Sequence, residues 1–372
     1  MHDVLVVGYG PVGALLAARL ATAGLDVVVV EREPAPYPLP RGVAADGEVL
    51  ELLERAAPGS TAGFLRDPPV RFLSADGDEL GRLRFPVPGL AFFRQPVLEQ
   101  RLREQVGRLG VDVRLGTALH ALVQDDDGVR ADVRTDGGVL EPVRARWVVG
   151  CDGASSTVRR LLQVPLRGRA LPHRWLVCDA VGPPVPGRQQ FTYTCDPALP
   201  QVDLPVPGGH RWEWLLRGAG TPRAEALLAG DLPPSVAAGM TVVRAVEYRF
   251  AARRAASWRH GRVLLAGDAA HTMPPFAGQG LGAGLRDAWA LGALLPGAGA
   301  TVSMDRYQRL REPHLRRMTA LSLLLGAVLQ TGSPSAAAAR DVLLRRAFGA
   351  PALGPWLRRG GPRPERSGVL DL

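Results

Sequence analysis

Apolar residues open the chain in short unbroken runs. Val4–Val7 is uniformly hydrophobic, a helical pattern follows from Ala14 to Ala23, and Val27–Val30 is a second apolar run ending at Glu31. Runs this short, without polar alternation, fit strands covered on both faces, so this opening reads as a βαβ unit with parallel strands. Pro34–Pro40 reads as a loop, and Glu48–Arg55 as a helix. Pro96–Leu109 reads as a second helix, with Leu98, Leu102 and Val106 on one face. Val111–Leu115, Gly128–Thr135 and Val139–Val149 read as strands, the last two joined by the turn Asp136-Gly137-Gly138. After about Leu162 the pattern changes. Trp175–Val181, Gln189–Thr194, His210–Leu216 and Val242–Phe250 are β-like and separated by Pro- and Gly-rich stretches, which predicts a mostly antiparallel sheet. Val263–Ala266 returns to the first style and leads through a Gly-rich turn into a helix from about Gly282 to Leu295. Met304–Leu329 reads as helical with a break or kink at Pro313, and Gly361–Gly368 as a frayed tail.

Composition narrows the chemistry. The 372 residues carry 45 basic and 36 acidic side chains, a net +9, and every basic one is Arg; Lys, Asn and Ile are absent. Without Lys there is no Schiff-base or P-loop lysine, and without Asn no N-glycosylation acceptor. At 46% hydrophobic and 22% charged residues, a large core forms and global disorder is excluded. The Arg residues are scattered and few aromatics accompany them, so nucleic acid is not an expected partner. Cys151, Cys178 and Cys195 are far apart, which fits a reducing compartment and gives neither a disulfide framework nor a metal cage. The N-terminus lacks the features of a signal peptide, and apolar runs are broken before the ~20 residues that span a bilayer. The expectation is a cytoplasmic protein without a membrane partner, monomeric or homodimeric.

Three motifs carry function. Gly8-Tyr9-Gly10-Pro11-Val12-Gly13 lies between a strand and a helix, with Glu31 closing the next strand. The first Gly permits the tight turn, the second lets a pyrophosphate approach the backbone, the third lets helix and strand pack closely, and the carboxylate accepts from a ribose. A dinucleotide is indicated; the motif alone does not say whether NAD or FAD. Trp147–Ala154 is a strand ending in Asp152-Gly153, which by itself also fits a plain strand-to-helix turn. The third motif runs from Arg262 to Gly282. A strand delivers Asp268, and Pro274, Pro275, Phe276, Gly278, Gln279, Gly280, Leu281 and Gly282 form a Gly- and Pro-rich approach to a helix.

In this order and spacing, these motifs resemble the FAD-dependent aromatic hydroxylases, the class A flavoprotein monooxygenases of the p-hydroxybenzoate hydroxylase fold. The resemblance runs from residue 1 to about 330. It points to the branch of 3-(3-hydroxyphenyl)propionate and aromatic-polyketide hydroxylases, through Trp175-Leu176-Val177, Cys195-Asp196-Pro197, Arg211-Trp212-Glu213 and Gly284-Leu285-Arg286-Asp287-Ala288. It implies an α/β fold: a Rossmann-like FAD-binding domain over 1–162 and 259–300, an inserted mostly antiparallel β-sheet substrate domain over 163–258, and C-terminal helices and tail over 301–372. It also implies that Gly8, Gly10, Pro11, Val12 and Gly13 cradle the FAD pyrophosphate and that Glu31, with Arg32 beside it, meets the adenosine ribose. Arg41 and Gln95 would contact FAD, Asp152-Gly153 both FAD and the nicotinamide donor, Asp268 the ribityl or pyrophosphate end, and Pro275 with Gly278–Gly282 the flavin ring. Non-covalent FAD, transient NAD(P)H and O2 would then hydroxylate a small phenolic or polyketide aromatic through a flavin C4a-hydroperoxide.

His210, Trp212 and Trp214 alternate along one strand and share a face. Turned toward the flavin, they would wall the pocket with Pro274 and Phe276, His210 or Tyr193 serving as proton acceptor; turned away, the two Trp are plain core. Gly282 stands where the family usually has Asn. The thioredoxin-like domain common in this branch is not expected, because the sequence stops at Leu372. A halogenase is excluded by the missing lysine. Epoxidation, ring cleavage or cyclisation in natural-product assembly, and a non-catalytic FAD-binding protein, are the alternatives.

Overall fold

The structure is a computed structural model that describes residues 1–39, 41–84, 89–297, 304–359 and 366–372. Its first eight-stranded sheet is built on the uninterrupted apolar runs. His2–Val7 lies between Val27–Val30 and Leu140–Gly150 and is parallel to both. Asp112–Arg114 extends the parallel set on one side, and Val263–Leu265 extends it on the other by pairing with Val148–Gly150. Val4–Val7 and Val27–Val30 are buried throughout, with the helix Pro11–Thr22 packed on both and the strand Thr117–Gln124 in contact with Val27–Val30. The crossover helix is Pro11–Thr22. Pro11 sits in its first turn, where a missing N–H leaves no bond unmade, and neither a capping side chain nor an acidic residue closes that end. The strand Thr117–Gln124, which periodicity does not reveal, pairs antiparallel with Val129–Thr135.

The second eight-stranded sheet hangs on two long strands, Leu166–Val181 and Thr241–Ala255, paired antiparallel. Gly209–Leu216, Gln201–Val206 and Phe191–Thr194 continue it. Gln201–Val206 is hidden in the sequence by Pro205. That residue lies beyond the last pairing with Phe191–Thr194, so its lost N–H breaks no ladder on that side. Val70–Leu73 and Glu79–Leu83 end the sheet on one side although they precede residue 163, Phe191–Thr194 pairing with Val70–Leu73 in parallel, and His271–Thr272 is the eighth strand, beside Thr241–Ala255.

The helix Asp305–Leu329 runs through Pro313 without the expected break. Tyr307, Arg311, His314, Leu315 and Met318 are buried on either side of the proline, and this packing outweighs one lost backbone bond. The reading of a frayed tail falls partly on 361–365, outside the described residues. The described part corrects it: Ser367 and Gly368 donate their backbone N–H groups to Glu48 at 3.0 and 3.1 Å, and Val369 is fully buried.

Candidate active site

The Gly-rich turn does what each of its glycines predicts. Gly8 has φ +102°, and a Cβ there would meet the Cys151 carbonyl oxygen at 2.6 Å. On Gly13 a Cβ would stand 2.0 Å from the Gly8 carbonyl oxygen. Beside Gly10, apart from its own chain neighbours, no atom of the described residues lies within 4 Å of the same position. The turn is therefore tight against protein at its first and third glycines and open at its second, where backbone N–H groups of an uncapped helix point outward. That is a cradle for a phosphate-bearing ligand. Glu31 Oε2 accepts from Tyr9 N at 2.6 Å, and Arg103 crosses the Tyr9 ring and donates to the Tyr9 carbonyl at 2.7 Å. Arg32 is exposed and pairs with Glu33 at 3.2 Å.

Asp152 follows the neighbouring strand. One of its oxygens accepts from Thr157 N and Val158 N at 2.7 and 3.1 Å, which starts a short helix, while the other is buried without a hydrogen-bond partner among the described residues. Gly153 beside it has φ +79° and open space where a side chain would stand.

The third motif arrives at the same place. Gly267 (φ +59°) would place a Cβ 3.2 Å from Val12, and Gly284 would place one 2.8 Å from Val12. Asp268 is exposed on this loop. His271 and Arg41 are the cations within electrostatic reach of its carboxyl. Arg41 is thus brought to Asp268, and Gly42, next along, lies against Leu281 and donates to Gln95 Oε1 at 2.6 Å.

Beneath this loop lies a buried charged scaffold. Asp287 accepts from Gly267 N at 3.0 Å, from Arg311 Nε at 2.9 Å, and lies 2.6 Å from His271 Nε2. Arg286, fully buried, binds Asp46 at 2.7 Å, Glu48 at 2.6 Å and the Gln279 side chain at 3.2 Å. This explains the missing Asn: a Cβ on Gly282 would lie 2.9 Å from Arg286 Nη1 and 3.0 Å from Val49. Gly282→Asn is therefore expected to cost about 1–3 kcal/mol through overpacking, read as a lower thermal midpoint.

The Gly209–Leu216 strand requires a correction. His210, Trp212 and Trp214 do share a face, but it looks away from the glycine-rich loops. Trp212 and Trp214 pack with Leu176, Leu228 and Leu232 under the helix Ala224–Asp231. His210 Nε2 lies 3.0 Å from Asp203 Oδ1, and Trp214 Nε1 donates to Gln201 at 3.0 Å. The strand is buried on both faces, so alternation alone did not fix which one meets the cleft. The opposite face carries Arg211, Glu213 and Leu215, and it packs with Trp175, Tyr193 and Phe276. The Phe276 ring is core, 5.4 Å from Trp175, rather than an open wall. The Pro274 carbonyl accepts from Ser322 Oγ at 2.7 Å. The Tyr193 hydroxyl donates to the Phe276 carbonyl, and burial pushes its pKa well up. Tyr193 thus anchors the loop and is not an available base.

Sequence reasoning gave no site role to Asp179, Arg244 or Glu213. Asp179 accepts from Arg211 Nε at 2.7 Å and Nη2 at 2.9 Å and from Arg244 at 3.2 Å. Arg211 Nη1 donates to the Arg41 carbonyl at 2.8 Å, tying the sheet to the cofactor side. The signal was the alternation itself, read one residue over. A hollow of about 370 Å3 bordered by Leu228, Pro234, Met240 and Val242 lies on the far side of the sheet, remote from these groups.

The model of the FAD binding domain family matches residues 1–195 and 226–322. A probable NADH-specific resorcinol 4-hydroxylase of Rhodococcus jostii (strain RHA1) is 37% identical over 363 residues, covering 91% of this chain and 68% of the relative. The 3-(3-hydroxy-phenyl)propionate/3-hydroxycinnamic acid hydroxylase of Comamonas testosteroni is 35% identical over 92% of this chain, which spans 61% of that relative's length. The crystal structure of p-nitrophenol 4-monooxygenase PnpA from Pseudomonas putida DLL-E4 superposes with a TM-score of 0.85 at 25% identity, over 98% of this chain and 99% of that one. Among the described residues no helix is long and apolar enough to cross a membrane.

Proposed function

The chain belongs to the FAD binding domain family of flavoprotein aromatic hydroxylases, and from that membership we propose that it uses NAD(P)H and O2 to hydroxylate a small phenol in the cleft between its two large sheets. One observation supports this most directly: the loops at Gly8–Gly13, Asp152-Gly153 and Gly267–Gly282 meet at one place, opposite a sheet face carrying buried charge. When bound, FAD supplies the electron transfer and oxygen activation.

The protein's own part is positioning. Gly10 and the uncapped helix end would take the pyrophosphate, Glu31 the ribose, and Arg41 with Asp268 the stretch between phosphates and ring. Asp287 fixes the Gly267 turn from below, so that Asp268 is presented without rearrangement. Trp175, Leu215 and Phe276 exclude water from one side of the cleft. All three relatives named above act on phenols, which supports a phenolic substrate, and NAD(P)H consumption fits work in the cytoplasm.

The test is a screen. The purified protein, loaded with FAD, is offered resorcinol, 3-(3-hydroxyphenyl)propionate, p-nitrophenol and larger polyketide phenols while NADH or NADPH oxidation is followed. The expected result is stimulated oxidation with a product heavier by one oxygen atom. Peroxide release alone with every compound would count against hydroxylation.

A further inference from the structure

We propose that Glu213 accepts the proton of the phenolic hydroxyl bound in the cleft, a role that rests on the hydroxylase reading above. Glu213 lies on the cleft face of Gly209–Leu216, opposite Val177 on one neighbouring strand and Val202 on the other. Two tethers bracket it. Arg211, two residues before it on the same face, holds the Arg41 carbonyl; Tyr193, on the next strand but one, holds the Phe276 carbonyl. The carboxylate between them therefore has a fixed place relative to both loops that would meet the cofactor.

Its chemistry differs from that of its neighbours. Asp179 is consumed by two hydrogen bonds from Arg211 and one from Arg244. Tyr193 is occupied by its carbonyl partner, and His210 faces the other way. Glu213 makes no hydrogen bond among the described residues; its closest cation is Arg211, 3.9 Å away, and its side chain keeps 12% exposure. Val246 and Tyr248, which line the same face on Thr241–Ala255, are 36% and 37% exposed, so the face is open to a ligand there.

The charged and titratable groups around Glu213 are Arg211 on its own strand, Asp179 on Leu166–Val181, Arg244 on Thr241–Ala255 and Tyr193 on Phe191–Thr194. Burial raises its carboxyl above the ordinary range, Arg211 and Arg244 oppose this, and Asp179 adds to it. A carboxylate so raised is a stronger base, closer to a phenol. In the transfer the phenol O–H bond breaks, its electron pair stays on the phenolate oxygen, and a new O–H bond forms on Glu213. The proton then leaves through the exposed edge of the carboxyl. Arg211 and Arg244 offset the negative charge on the phenolate.

The experiment uses the FAD-loaded full chain with Glu213→Gln and Glu213→Asp. Resorcinol keeps its proton at neutral pH, whereas p-nitrophenol ionises there unaided. Glu213→Gln is expected to keep FAD and its rate of reduction by NADH, and to lose roughly 10²–10⁴-fold in kcat/KM with resorcinol. The loss should shrink to within about threefold with p-nitrophenol at pH 8, since proton abstraction is no longer needed. Wild-type kcat/KM should fall as acid protonates Glu213, and that limb should vanish in Glu213→Gln. Equal losses on both phenols, or an acid limb with resorcinol that is unchanged in Glu213→Gln, overturn the proposal; p-nitrophenol keeps an acid limb of its own because the substrate itself protonates there. If Glu213→Gln does not fold, Glu213→Asp decides: an acid limb at shifted pH supports the role, and wild-type rates with an unmoved limb overturn it. If no phenol stimulates even the wild type, the hydroxylase reading fails and this role fails with it, an outcome separate from a defect confined to the variants.

Discussion

Gly13→Ala is expected to yield a protein that retains no FAD and unfolds at markedly lower temperature. The added methyl would stand 2.0 Å from the Gly8 carbonyl oxygen and 3.4 Å from the Cys151 side chain, in a turn already pressed against the end of the central strands. Neither backbone segment can retreat without breaking the strand pairing behind it, so the clash moves the first turn of Pro11–Thr22 off the sheet. A stability loss of about 4 kcal/mol or more follows from strain of this kind. Displacing the phosphate cradle by an ångström would weaken FAD binding by at least ~100-fold, about 2.8 kcal/mol. Gly10→Ala is the control. Apart from its own chain neighbours, its methyl meets no atom of the described residues within 4 Å, so thermal stability of the apoprotein should stay near wild type. The same methyl projects where a pyrophosphate would approach, so FAD should be lost all the same. Equal thermal midpoints for Gly13→Ala and wild type, or full FAD retention by Gly10→Ala, would contradict this account of the turn.

Arg286→Leu is the second large effect. Arg286 neutralises Asp46 and Glu48 with no access to water, and removing one side of a buried ion cluster costs about 3–5 kcal/mol because the remaining charges stay desolvated. The pH dependence gives the signature. Burial alone would raise the Asp46 carboxyl, but Arg286, the Val49 N–H and Gln279 outweigh it and hold it below the ordinary carboxylate range. A group depressed in the folded state contributes stability that is full above its unfolded pKa and is lost as pH falls through its folded pKa. In Arg286→Leu the main depressing partner is gone and burial dominates, so protonating Asp46 now relieves the folded state. The deficit relative to wild type should therefore be largest near pH 7 and narrow as pH falls toward the carboxyl range, followed by denaturant unfolding at each pH. A deficit independent of pH would mean that lost packing, not uncompensated charge, is the cause.

The parallel sheet and the Gly-rich cradle were readable because their signals are local: unbroken apolar runs, a glycine where φ is positive, a carboxylate at a strand end. Asp268, placed just beyond a short apolar strand, is a local signal of the same kind. What escaped was set by long-range pairing. Val70–Leu73 and Glu79–Leu83 are short, and they join the second sheet only by pairing with strands far along the chain. The face of Gly209–Leu216 was undetermined because both sides are buried, and a strand with no solvent side carries no polarity in its pattern. His210 and the two tryptophans drew notice as chemically distinctive side chains. Arg211 and Glu213 read as the ordinary charged half of an alternation, and only the cross-strand register turned them inward. The Arg286 cluster was invisible because its members are 46, 48 and 286 in the sequence and meet only in the folded core.

The strand Val263–Leu265, which closes one side of the parallel sheet, emerges from the ribosome long after His2–Val7 and Val27–Val30. At ~5–20 residues per second, synthesis from Gly150 to Val263 takes roughly 6–23 s. During that interval Val148–Gly150, paired on one side with His2–Val7, lacks its second parallel neighbour, and its outer edge stands unpaired. Nascent chains in this window are the ones a chaperone must shield, and expression at a lower temperature, which slows aggregation of the waiting edge, should raise the soluble yield of an otherwise unaltered protein.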